Sequence, residues 1–161
     1  MLKTSFKKLA ILFTGALVFA SCSSDDGEEI DEERPEITVA YENGFPTSCA
    51  ELKRGETYTF RARVTDNLAL AAYSLNVHHN FDHHTHDDQG SLCELEPIKE
   101  AQSPFIYLEN FSIAENPQTY EISIPVTIPE TVDLGDYHTA FSVTDQTGWQ
   151  SRTSIDIKII E

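Results

Sequence analysis

From residue 36 onward the chain carries a two-residue rhythm that leaves few options for its fold. In residues 69–78, for example, Tyr73, Leu75 and Val77 alternate with Ser74, Asn76 and His78, so an extended backbone there has one apolar and one polar side. Alternation of this kind, or an enrichment in β-branched residues that equally favours strand, recurs over residues 36–41, 57–65, 69–78, 105–113, 119–128, 137–143 and 152–160. No stretch supports a helix longer than a turn. A sheet that is apolar on one face must bury that face against a second layer. Seven such strands separated by turn residues therefore predict an all-β fold, a β-sandwich occupying residues 36–161 as one domain.

A local marker narrows the sandwich further. Asp133-Leu134-Gly135-Asp136-Tyr137 has the Asp, Gly and Tyr spacing of the tyrosine corner near the start of the sixth strand in immunoglobulin-like domains, where the Tyr hydroxyl caps a backbone group. The phrases Arg63-Val64-Thr65-Asp66-Asn67 and Val143-Thr144-Asp145-Gln146-Thr147-Gly148-Trp149 also resemble bacterial Ig-like repeats. Thr139 stands where antibody domains have a cysteine, so their inter-sheet disulfide is absent. Over residues 36–161 the chain resembles Bacteroidota-type surface lipoproteins that carry a single Ig-like domain of unassigned function.

The N-terminus fits that resemblance. Lys3, Lys7 and Lys8 precede an apolar stretch from Leu9 to Ala20 that ends in small residues, the order of an export signal. The stretch is about 12 residues long, short of the roughly 20 that a membrane-spanning helix requires. Phe19-Ala20-Ser21-Cys22 resembles the lipobox of bacterial lipoproteins, although Phe19 replaces the usual aliphatic residue. The resemblance implies a signal peptide over residues 1–21 and lipidation of Cys22, hence a membrane partner through an N-terminal lipid anchor. Residues 22–35 then form a linker. Its run from Ser23 to Glu33 carries seven carboxylates and one aliphatic residue, too little apolar surface to fold alone. Fully extended, the dozen or so residues from Cys22 to Arg34 reach at most roughly 45 Å. The expected location is an outer-membrane lipoprotein at the cell surface or the periplasmic face, with a transporter or other surface protein as partner.

Charge agrees with this placement. Acidic side chains number 27 against 11 basic ones, a formal net charge of -16. Such a chain is a poor partner for nucleic acid or anionic lipid and a good one for cations.

The residues that carry chemistry lie in Val77-His78-His79-Asn80-Phe81-Asp82-His83-His84-Thr85-His86-Asp87-Asp88. Five of the chain's 6 histidines fall between positions 78 and 86. Neutral imidazole is a borderline-soft donor suited to zinc, copper and nickel. The candidate ligands are His78, His79, His83, His84 and His86. Asp82, Asp87 and Asp88 are able to ligate directly or to accept the second N–H of a ligand ring. Spacing alone leaves the set open: His84 and His86 share a face if the segment is extended, His79, His83 and His86 if it coils.

The sixth histidine enters through strand parity. Tyr137, Phe141 and Val143 form the inward set of their strand, which turns His138 outward, as Val77 turns His78 outward. The Ig-like resemblance implies that these two strands lie side by side, which would bring His78 and His138 onto one outer face and make His138 part of the metal site. With Cys22 lipidated, Cys49 and Cys93 remain as an even pair in an oxidising compartment, expected to form a disulfide, the rival role being metal ligation.

The favoured function is capture, buffering or transfer of a transition metal, zinc before copper or nickel. The chain's 1 methionine is Met1 in the signal, which argues against a thioether Cu(I) site. A second reading is an adhesion or nutrient-uptake accessory module in which the metal is only structural, with Trp149, Tyr107 and Phe81 as contact residues. An enzyme, either a zinc hydrolase or a copper, zinc dismutase, stands third. The chain has no Ser nucleophile motif and no His-Glu-x-x-His pattern, so no catalytic residue is assigned.

Overall fold

The computed structural model describes residues 30–89 and 93–161. The export signal, Cys22 and the linker through Glu29 lie outside the described residues. The compact unit runs from Asp31 to Glu161. Among the described residues there is no helix, and eight strands form two sheets.

The strands are β1 (Glu36–Thr38), β2 (Ala50–Lys53), β3 (Thr57–Thr65), β4 (Leu70–His79), β5 (Tyr107–Ser112), β6 (Thr119–Thr127), β7 (Gly135–Asp145) and β8 (Gln150–Ile160). One sheet has the order β1-β3-β6 and the other β2-β8-β7-β4-β5. All neighbours are antiparallel except β2, which pairs with β8 in parallel. The two layers make the expected β-sandwich, and all seven sequence-predicted strands are present with ends shifted by up to three residues. The eighth, β2, is four residues long and buries only Leu52 fully, which is too little pattern to read from sequence.

Burial follows the alternation. Phe60, Ala62 and Val64 of β3 and Ile122, Ile124 and Val126 of β6 face Leu75, Val77, Phe141, Val143, Ile157 and Ile159 in one core. Pro125 is tolerated within β6 because that strand lies at a sheet edge, where a missing N–H breaks no ladder.

The central strand β7 departs from the pattern, being buried along both faces over most of its length. Its inner face carries Tyr137, Thr139, Phe141 and Val143, and its outer face carries Asp136, His138 and Ala140, all buried. Strand parity puts His138 on the outer face as expected. Contrary to an exposed outer face, however, the segment after β4 folds back across it. The start of β7 is fixed by Tyr137, whose hydroxyl donates to Asp133 O at 2.6 Å and accepts from Phe105 N at 3.2 Å. Burial pushes the Tyr137 phenol up to about 12, so it stays a donor throughout the physiological range.

Candidate metal centre

The site begins with a row across the larger sheet. In the β4–β7 ladder His78 stands opposite His138, and in the β7–β8 ladder His138 stands opposite Asp156. Directly opposed residues share a face, so the three side chains project together.

The chain then leaves β4 and returns over this row. Asn80 N donates to Asp136 O at 2.8 Å, and Phe81 packs edge-on against Tyr137 with ring centres 5.3 Å apart. A tight turn follows, with His83 N bonded to Asn80 O and His83 in the left-handed region at φ 60°. The return limb is held by Gln89, whose backbone N and side-chain Oε1 bond to His86 O and His86 N at 3.1 and 3.2 Å. Gln89 Nε2 donates to both oxygens of Asp156 at 2.7 and 2.8 Å. A disulfide joins Cys49 to Cys93 just beyond the loop, so neither sulfur is a free thiolate ligand. Cys49 N donates to Asp156 O at 2.8 Å, which carries the clamp into β8.

This path brings four imidazoles together. His78 Nε2 lies 3.2 Å from both His84 Nε2 and His86 Nε2. The ring centres of His78, His84, His86 and His138 are separated by 5.3, 5.3, 5.5, 5.1, 4.9 and 4.7 Å over the six pairs. Nearly equal edges are those of a tetrahedron. Zinc–nitrogen bonds of about 2.05 Å place tetrahedral ligand atoms about 3.3 Å apart and imidazole centres roughly 5 Å apart.

The far side of two rings is also held. His78 Nδ1 is 3.1 Å from Asn76 Oδ1 and His84 Nδ1 is 2.6 Å from Asp82 Oδ1, whereas His138 Nδ1 lies 2.8 Å from Asp156 Oδ1 without forming a hydrogen bond. An acceptor at Nδ1 selects the tautomer whose proton is there, which leaves Nε2 as a bare lone pair. For His78 and His84 these lone pairs point at each other. Two facing lone pairs repel unless a proton or a metal ion sits between them.

Protons are disfavoured there. Burial, followed by the neighbouring His138, His84 and His86, pushes His78 down to about 4. Burial and His138 likewise lower His86, with Arg152 and His84 adding to the effect. The fourth ring, His138, is 0% exposed, and its Nε2 lies 3.2 Å from His84 O.

The remaining sequence candidates sit elsewhere. The His79 ring lies tilted against Phe81, with ring centres 4.9 Å apart, on the other side of β4. His83 Nε2 is 2.8 Å from Glu96 O. Asp88 accepts from Ser154 Oγ at 3.0 Å and pairs with Arg152 at 3.3 Å, while Asp87 is exposed. Asp82 serves as an orienting group for His84. Phe81 is buried, Tyr107 is half-buried, and Trp149 is 38% exposed. Sequence reading missed Asn76, Gln89 and Asp156, because only the pairing of β8 with β7 puts Asp156 beside His138.

No curated protein matches the chain. Among solved structures it is similar to the sporulation control protein Spo0M from Bacillus subtilis, at a TM-score of 0.39 and 10% identity over 80% of this chain. The chain spans about half, 49%, of that structure's length. One family model matches residues 20–160, nearly the whole chain, and the protein belongs to that family, described as "Domain of unknown function (DUF4625)".

Proposed function

We propose that this protein binds one transition-metal ion, zinc in preference to copper or nickel, through Nε2 of His78, His84 and His86 with His138 as the fourth ligand. The observation that carries the reading is the convergence of nitrogens from His78, His84 and His86 beside the His138 ring, with an acceptor at Nδ1 of His78 and of His84. Three nitrogens are placed for the ion, and His138, turned from the His84 carbonyl toward it, would fill the tetrahedron and leave no open position, which suits holding the ion rather than catalysis. Zinc has no ligand-field preference to oppose that geometry, whereas Cu(II) and Ni(II) favour tetragonal arrangements.

The side-by-side β4 and β7 and the Tyr137 corner support an Ig-like sandwich. With the lipobox-like Cys22 and the acidic linker, they support a lipid-anchored domain outside the cytoplasm that captures, buffers or passes on the metal. The Cys49–Cys93 disulfide is in keeping with an oxidising compartment. The expected site is the outer membrane, at the cell surface or its periplasmic face, beside a transporter or another surface protein.

The test is elemental analysis of the purified protein together with cobalt substitution. One equivalent of metal is expected, with the intense visible bands of tetrahedral Co(II), and both are lost in a His84→Ala/His86→Ala variant. Substoichiometric metal that the variant retains overturns the reading. His138→Ala separates four ligands from three: unchanged affinity removes His138 from the set.

A structural role for the same ion is favoured by one observation. Beyond Phe81, the loop returning to Gln89 buries no large apolar side chain, so the metal would add to the polar contacts of Asp88 and Gln89 in fastening it. In that case metal-free protein binds its partner once the loop is restrained by other means.

A further inference from the structure

At the opposite end of β7, about seven residues or roughly 23 Å along the strand from His138, three carboxylates converge. Asp31 precedes β1, Asp66 follows β3 and Asp145 ends β7, and one oxygen of each lies within 4.8 Å of one oxygen of both others. Proximity of acidic groups alone means little. Here the hydrogen bonding is one-sided.

Asp145 is 3% exposed, and its Oδ1 accepts from Thr147 N, Thr147 Oγ1, Gly148 N and Trp149 N at 2.7–2.9 Å. Its Oδ2 is buried and has no donor. Asp66 repeats the arrangement: Oδ1 accepts from Leu68 N and Ala69 N at 3.0 and 2.6 Å, and buried Oδ2 has none. Asp31 Oδ1 accepts from Glu33 N and Asn67 Nδ2, both at 3.0 Å, and its Oδ2 faces Thr147 Oγ1 at 3.1 Å. That hydroxyl has a single proton to share between Asp31 and Asp145.

No ion pair involves these three residues among those found in the described part of the chain. A buried carboxylate oxygen without a donor is costly, and two beside a third negative charge are more so. A cation removes the penalty at Asp66 and Asp145 and offsets the charge of Asp31 beside them.

We propose that Asp31, Asp66 and Asp145 bind a calcium ion, which fastens the chain entering β1 to the β3–β4 and β7–β8 turns. All-oxygen donors exclude a preference for zinc. Because backbone donors fix each Oδ1, the free oxygens are set by loop geometry. Calcium accepts irregular shells of six to eight oxygens, whereas magnesium demands a near-ideal octahedron. Water completes the shell.

Trp149 supplies the test, since it is the chain's 1 tryptophan, and its Nε1 donates to Asp31 O at 3.0 Å. Terbium added to the purified protein should give saturable emission sensitised by Trp149. Calcium should displace it with a Kd on the order of 0.1–1 mM, as in extracellular modules. Asp66→Asn and Asp31→Asn each keep an acceptor oxygen but lose a charge, and should weaken calcium binding by about tenfold or more. Calcium should also raise the Tm of the unmodified protein, a reading independent of whether the variants fold. The His84→Ala/His86→Ala variant should keep both responses. A Tm insensitive to millimolar calcium, emission that calcium does not displace, or unchanged affinity in both folded Asp variants overturns the proposal.

Discussion

The Tyr137 hydroxyl joins a carbonyl and an amide that no strand ladder satisfies, Asp133 O and Phe105 N. Tyr137→Phe keeps the ring and strands both groups, so urea unfolding should show a loss of about 1–3 kcal/mol. Asp156 is a comparable case at the proposed metal centre. It lies 2.8 Å from His138 Nδ1 and takes two hydrogen bonds from Gln89. Asp156→Asn should weaken zinc binding by roughly 10–100-fold while the far-UV spectrum stays unchanged. His78 ties the centre to pH. Its folded-state pKa of about 4 lies below the ordinary 6.5, so between those values the unfolded chain binds more protons than the native one. Stability of the metal-free protein should therefore be at its full value above about pH 6.5 and fall as pH drops toward 4. Denaturant midpoints across that window check it, and a flat profile for wild type that matches His78→Ala would contradict it. The sequence marked Tyr137 and His78 by spacing and parity. It gave no sign of Asp156, which reads as one more polar residue on the outward side of a strand.

At the scale of elements, the loop from Asn80 to Gln89 turns an ordinary sheet face into an enclosed site. Its polar composition was legible, but whether it coils or extends was not, because spacing fits both. The structure brings His84 and His86 over β4 and β7 through the Phe81 anchor, the turn at His83 and the Gln89 contacts. Consequently the set that converges is His78, His84, His86 and His138, without His79 or His83. The Cys49–Cys93 crosslink holds the far end of that segment across a sequence separation of 44 residues. In the chain-entropy view a loop of that size is worth about 4 kcal/mol. Cys49→Ser/Cys93→Ser should lower unfolding free energy by up to that amount and loosen zinc affinity, measurable by competition with a chelator. Zinc affinity equal to wild type in the double variant would show that the clamp serves the fold alone. The short strand β2 belongs to the same lesson. It exists because Cys49 and Asp156 bring it to the edge of β8, not because its own four residues favour it.

For the whole molecule, a metal that binds only the native state stabilises by mass action, about 4 kcal/mol when free metal exceeds Kd a thousandfold. Chelation should lower Tm reversibly, and the shift should vanish in His84→Ala/His86→Ala. Core truncation acts through another mechanism: Phe60→Ala should cost about 3–5 kcal/mol with or without metal, because the cavity lies in the core between the sheets. The strands, the two-layer architecture and the histidine-rich segment are legible in the amino-acid sequence. Period-two alternation dictates which side of each strand seeks a core. Which loop rings join His78 and His138, and which groups orient them, follows from the tertiary fold alone. It also decided that the outer face of β7 is closed and that three acidic residues far apart in the chain share one end of the sandwich. Those outcomes depend on strand register and on the return path of a loop, which arise from pairing between segments as far apart in the chain as β2 and β8 and leave no trace in local pattern.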